Sequence, residues 1–175
     1  MIATISITDT DVFTAMRTFL VAVLPTGAEV VKAQDNGVPM PKVQFVAMNN
    51  NGYTRLNTNI DTYVDTGANP SQKKIETHTE YRIQLDFYGA DSSSWAAMVY
   101  SAFRDSYASD LFPTTIQPLY TDNPIQMPLI TGEEQYLQRW KMQASLQINP
   151  VVTVDQDLAT SLAVGSGNVD VSFPP

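Results

Sequence analysis

Cysteine is absent from this 175-residue chain, and histidine occurs once, at position 78. The first absence removes disulfides, thiolate zinc sites and cysteine nucleophiles together. A disulfide-stapled secreted module is therefore excluded, and stability has to come from packing. The second leaves His78 as the one imidazole available to any Ser-His-Asp arrangement. Basic residues are scarce too: 10 Lys and Arg stand against 18 Asp and Glu, a formal net charge of −8. That balance argues against a protein that grips nucleic acid by neutralising phosphates. The only adjacent basic pair is Lys73-Lys74. No apolar run approaches the length of a membrane-spanning helix. The start, MIATISITDTDVF, lacks the basic region and uninterrupted apolar run of a signal peptide. The chain reads as soluble and intracellular at synthesis, with no membrane partner. A glycosylation triplet at Asn69 is blocked by Pro70.

What is present is a globular composition, 43% hydrophobic and 16% charged. The length suits one domain, or one domain with an extended appendage, burying about two-thirds of its unfolded-state surface. Thr8 or Asp9 can cap a first helix whose apolar residues Val12, Phe13, Met16, Phe19, Leu20, Val23 and Leu24 recur at three-and-four spacing. Pro25 and Gly27 end it. AEVVKAQ reads as a short strand and VQFVAMN as another, separated by a stiff loop containing Pro39 and Pro41. The polar segment Asn49 to Gln72 reads as a strand or extended arm, with a turn at GANPS.

The clearest alternation runs from Ile75 to Phe87. Ile75, Thr77, Thr79, Tyr81, Ile83, Leu85 and Phe87 lie on one face, and Glu76, His78, Glu80, Arg82, Gln84 and Asp86 on the other. This predicts one strand with one packed and one wet face. Gly89 then permits a tight exit into a helix that Asp91 or the first serines cap, with Trp95, Met98, Val99, Ala102 and Phe103 along one side. A proline-punctuated stretch holding one short strand follows. A second long strand then places Trp140, Met142, Ala144, Leu146 and Ile148 opposite Arg139, Lys141, Gln143, Ser145 and Gln147. The expected fold is α+β: a mainly antiparallel sheet with two amphipathic helices packed on one face, and extended loops. Residues 1–150 form the domain, and 151–175 an extended C-terminal tail ordered by contact with something else.

The search for chemistry finds no set. His78 sits between Glu76 and Glu80 on a solvated strand face, where a bystander is the ordinary outcome. There is no G-x-S-x-G elbow, and Ser92 to Ser94 look like helix-start residues. The pairs Asp9/Asp11, Glu133/Glu134 and Asp155/Asp157 lack the ligand number and glycine of a calcium loop. GSGNVD, Gly165 to Asp170, follows no clear strand and opens no helix, so it is not a dinucleotide loop. Trp95 and Trp140 occupy in-register apolar positions and read as core. No catalytic residue, cofactor or metal is expected.

Several segments taken in order carry a resemblance: VVKAQDNGVPMPKVQFVAM, RLNTNIDTY, YRIQLDFYGADSSSWAAMVYSAFRD, and PLYTDNPIQMPLITGEEQYLQRWKMQASLQINPVVT. DFYG leading into a helix, and GEEQYLQRW leading into LQINPVV, are the most specific pieces. From about Val30 to Asp157 the chain resembles the tail or neck terminator family of tailed bacteriophages. The resemblance implies a structural virion protein and not an enzyme. It implies a homohexameric ring that ends the tail tube, meets neck or head-completion proteins and the sheath, and lets DNA through without binding it specifically. The implied location is the virion tail or neck, after assembly in the host cytoplasm.

A closed ring needs heterologous contacts. The candidates are the segment Asn49 to Gln72, the proline loop around Pro39 and Pro41, and the tail after Pro150, with Arg55, Tyr63, Lys73 and Lys74 as individual contact residues. Acidic side chains such as Glu76, Glu80 and Asp86, if they line the lumen, would repel passing DNA. The alternatives are a minor tail or head-completion protein with a similar domain and, in another class, a ligand-binding or hydrolytic module using His78.

Overall fold

The computed structural model describes residues 3–33, 41, 44–67, 69–127, 129–130 and 136–157. The chain runs through β1 (Thr4–Ile5), α1 (Asp9–Val23), β2 (Glu29–Lys32), β3 (Phe45–Arg55), β4 (Ile60–Val64), β5 (Ser71–Glu76) and β6 (Thr79–Tyr88). It continues through α2 (Ser92–Phe103), α3 (Ser106–Leu111), β7 (Ile116–Thr121), β8 (Ile125–Gln126), β9 (Leu129–Ile130), β10 (Tyr136–Leu137), β11 (Arg139–Ile148) and β12 (Val151–Gln156). The fold class is α+β with mainly antiparallel sheets, as the alternation predicts.

A six-stranded sheet is ordered β2-β3-β6-β11-β7, with β8 also on the outer edge of β11. Only its β2–β3 pair is parallel. At its centre β6 and β11 pair over ten residues without a slip, from Arg139 opposite Tyr88 to Ile148 opposite Thr79. Strand side chains alternate, so this register sends Tyr81, Ile83, Leu85, Phe87, Met142, Ala144, Leu146 and Ile148 to one face, and all eight are buried. The helices pack on that face. Val12, Phe13, Met16, Phe19 and Leu20 come from α1, and Trp95, Ala96, Val99 and Phe103 from α2.

Phe19, Phe103 and Phe112 tie the helices to one another. Phe19 meets Phe103 edge-on at 5.5 Å between ring centres and Phe112 at 5.4 Å, and Phe103 meets Phe112 edge-on at 5.9 Å. Thr8 caps α1 reciprocally with Asp11: the Thr8 hydroxyl accepts from the Asp11 N–H, and the Asp11 carboxylate accepts from the Thr8 N–H at 2.8 Å. The Thr8 hydroxyl also donates to Asp11 Oδ2 at 2.7 Å, and this hydrogen bond, then that from the Thr8 N–H, holds the Asp11 carboxyl below its usual range. Gly89 makes the β6–α2 turn at φ +111, where a Cβ would come within 2.4 Å of Gln44 Cγ. Asp91 does not cap α2 through its side chain. It accepts instead from Gln44 Nε2 at 3.0 Å, while its N–H donates to Gln44 Oε1.

Several expectations change. The alternation from Ile75 to Phe87 belongs to two strands in two sheets, because the chain leaves the ladder at Thr77–His78. There the Thr77 N–H donates to the Pro150 carbonyl and the His78 N–H to Asn57 Oδ1. Residues 151–156, expected to begin the tail, form β12, which pairs with β5 and β1. Residues 158–175 of the expected tail lie outside the described residues. A short third helix, α3, follows α2, and the proline-rich stretch before β11 holds more than one strand. Met98, placed on the packed side of α2, is 45% exposed. Trp95 is buried as expected, whereas Trp140 is only partly buried against the core.

The opposite face of the large sheet is polar, yet Asp86 there is 1% exposed. Its Oδ1 accepts from Arg139 Nε at 3.1 Å and Nη2 at 2.8 Å, and its Oδ2 from Asn49 at 3.0 Å and Gln84 at 2.7 Å. Arg139 also lies 5.6 Å from the ring centre of Tyr88, which stacks on Phe45 at 4.6 Å. Removing one member strands a buried charge, whereas removing both does not. Arg139→Met should cost about 3–5 kcal/mol in urea unfolding, and Arg139→Met combined with Asp86→Leu should cost less than that single change. Phe103→Ala should cost about 3–5 kcal/mol in the same measurement.

Candidate functional site

The second sheet has four antiparallel strands in the order β1-β12-β5-β4. Among the described residues none of the buried core residues comes from it. Its register places Ile5, Val152, Ile75 and Asp61 in one cross-strand row, with Val154, Lys73 and Tyr63 in the next row on the same face. The only charges in these two rows cancel: Lys73 Nζ lies 2.7 Å from Asp61 Oδ2 and 5.5 Å from the Tyr63 ring centre. The hydrogen bond to Asp61 is the main cause that raises the Lys73 amine above its usual range. The result is an apolar, neutral face with Tyr63 62% and Ile5 55% exposed. The other face is mostly polar, with Thr4, Thr62, Lys74, Thr153, Gln72 and Asp155.

This face continues into a groove of about 750 Å³ beside the large sheet, walled by Ile5, Tyr53, Arg55, Ile148, Pro150 and Val152. Tyr53, 70% exposed, and Arg55 come from the far end of β3, beyond an irregularity in pairing between Asn50 and Tyr53. On the groove floor the Tyr81 hydroxyl donates to Asp9 Oδ1 at 3.0 Å, and Asn50 Nδ2 donates to the Tyr81 oxygen at 2.6 Å. Burial, and then Asp9, push the Tyr81 hydroxyl well above the usual tyrosine range. Tyr81 therefore stays protonated, and its hydrogen bond pins the first turn of α1 to β6.

The sequence candidates separate on this frame. Tyr63 and Lys73 come together on the apolar face, and Arg55 stands at the groove rim with its guanidinium on Asn59 Oδ1. Lys74 points to the opposite face, paired with Thr62 and Thr153. Pro41 is half-buried ahead of β3, whose eleven residues span roughly 35 Å, so it is not brought together with Arg55. Pro39 lies outside the described residues. Tyr53, Val152 and Val154 fall inside candidate segments without being singled out, and Ile5 and Ile75 lie outside them. The alternating β-branched residues of VVTV carried the signal for Val152 and Val154.

The acidic wall expected from Glu76, Glu80 and Asp86 does not form. Glu76 belongs to the small sheet and lies 3.3 Å from His78 Nε2. Asp86 is buried under Arg139. Glu80 accepts from the Tyr120 hydroxyl at 2.7 Å, which is the first cause that holds its carboxyl below the usual range. Arg82 and Lys141 share the same polar face of the large sheet. Among the described residues no group of three or more His, Cys, Asp and Glu side chains could hold a metal ion, and no helix is long and apolar enough to cross a membrane.

Comparison with known proteins agrees with this architecture. The fold is similar to that of the sheath/tube terminator of PVC, an extracellular contractile injection system, in its extended state. The TM-score is 0.56 at 12% identity, covering 96% of this chain and 65% of that one. Comparison with curated proteins finds no significant match. Residues 10–170 match the family described as phage neck terminator protein. That family is structural and not enzymatic, so the empty search for a catalytic set has a positive counterpart: this chain belongs to the phage neck terminator family.

Proposed function

We propose that this chain is the subunit of a homomeric ring, a hexamer, that ends a phage tail tube and joins it to neck or head-completion proteins and to the sheath. The observation that carries the proposal is the apolar face of the small sheet. Ile5, Val152, Ile75, Val154 and Tyr63 occupy one face of four paired strands and are not part of the core that the described residues form. A sheet with an apolar face gains about 25 cal/mol for each Å² it removes from water, and standard interfaces bury on the order of 1,600 Å². A partner surface of ordinary size therefore supplies a driving force that the isolated subunit lacks.

Rigidity and adhesion are divided between the two sheets. The helix-backed sheet holds its shape because its core is closed, and the small sheet and the end of β3 offer Tyr53, Arg55, Tyr63 and Lys73 to neighbours. Pro39, Pro41 and Lys74 are assigned to further contacts between copies or with tube and neck. The net charge of −8 disfavours adhesion of DNA passing through the ring's channel, now as a property of the whole chain and not of one acidic strand. The working location is the virion tail or neck, reached by assembly in the host cytoplasm.

Electron microscopy of the purified chain should show rings with an open centre, and antibody labelling of purified particles should mark the head–tail junction. A single-chain mass at high protein concentration, or particles without label, would remove the proposal.

A further inference from the structure

Two unlike apolar surfaces lie at opposite ends of α1. The groove and the apolar face of the small sheet lie at its N-terminal end, where Thr8 and Asp9 line the groove. At its C-terminal end a shallow hollow of about 530 Å³ is lined by Ala22, Val23, Met98, Ala102, Asp105 and Tyr107. Met98 is 45% and Tyr107 46% exposed there. A helix of 15 residues separates its two ends by roughly 22 Å. Resting on the ring proposed above, we infer that these two surfaces are the halves of one head-to-tail contact. The sheet face and groove of one copy receive the helical hollow of the next, with Arg55 meeting Asp105.

A self-complementary patch produces closed pairs, whereas two different patches on opposite sides of a subunit produce a directional contact that repeats from copy to copy. The charges at the rims match this. Arg55 has no carboxylate partner among the described residues, its guanidinium resting on the neutral Asn59 side chain. Asp105 has no cation partner among them either: it accepts from the Tyr107 N–H at 2.9 Å and the Ser106 hydroxyl at 3.4 Å. The adjacent Arg104 is turned away, donating to the Thr121 carbonyl at 2.6 Å and lying 5.0 Å from the Tyr100 ring centre. Asp9 is held on the groove floor by Tyr81 and Asn50, and the sheet face is neutral because Lys73 and Asp61 pair. One rim therefore offers a lone cation and the other a lone anion, each bordered by exposed apolar side chains. A nucleic acid would find a single cation at the groove, too few to hold a phosphate backbone.

The test is native mass measurement on the full chain with Tyr53→Asp on the groove side and Met98→Asp on the hollow side, both positions exposed. The wild type should have the mass of a closed multi-subunit ring, and each variant that of one chain. An equal mixture of the two should give a two-chain species, because each variant keeps one intact half of the contact. A self-complementary interface would not be rescued by mixing. A second pair decides if either variant loses cooperative melting: Arg55→Glu and Asp105→Arg should each weaken assembly roughly tenfold, and the chain carrying both should recover it. Asp105→Asn, which keeps the cap of α3, controls for helix loss. Rings unaffected by these changes would overturn the contact and leave the ring standing. A mixture that stays single-chain would overturn the head-to-tail pairing. A single-chain wild type would overturn both.

Discussion

The uninterrupted register between β6 and β11 is the constraint on which the rest of the fold depends. Ten consecutive pairs fix which side of the sheet each residue occupies, and a slip of one would exchange every buried Ile, Leu and Phe with a charged or amide side chain. Because the register holds, the helices have one continuous apolar surface to cover. The opposite surface assembles the Arg139–Asp86 pair with Asn49 and Gln84.

The same two strand lines also produce the small sheet. Each breaks once, at Thr77–His78 and at Asn149–Pro150, and resumes in the small sheet as β5 and β12. Pro150 lacks the N–H that would carry the ladder onward, and its carbonyl instead accepts from Thr77. Beyond the break the side-chain alternation persists while the helices do not follow. A stiff, helix-backed layer is thus joined directly to a sheet whose apolar side is not covered by the helices. For a protein of the phage neck terminator family, that arrangement suits a role in which shape is held internally and contact is offered outward.

Much of the large sheet was legible in the sequence, since Tyr81 to Phe87 and Met142 to Ile148 alternate without exception and α1 carries both its cap and its apolar stripe. The small sheet was not. Its strands are short and half-exposed, and Ile75 continues the phase of the β6 residues, so nothing local marks the change of sheet. Tyr63 and Lys73 were found because an aromatic and a cation without an obvious core position stand out. Ile5, Val152 and Val154 each look unremarkable until pairing sets them side by side. Asp86 misled for the converse reason: it alternates with the wet face, and its burial comes from Arg139, which lies 53 positions away.

By itself the sequence determined the absence of thiol chemistry, the acidic balance, the helical stripes and the period-two strands, because composition and periodicity are properties of neighbouring residues. Only the tertiary structure decided that one apparent strand serves two sheets, that Asp86 carries no exposed charge, and that scattered apolar residues from four strands share one face. Those outcomes depend on which distant segments pair and in what register, and that pairing is set by burial of the whole chain.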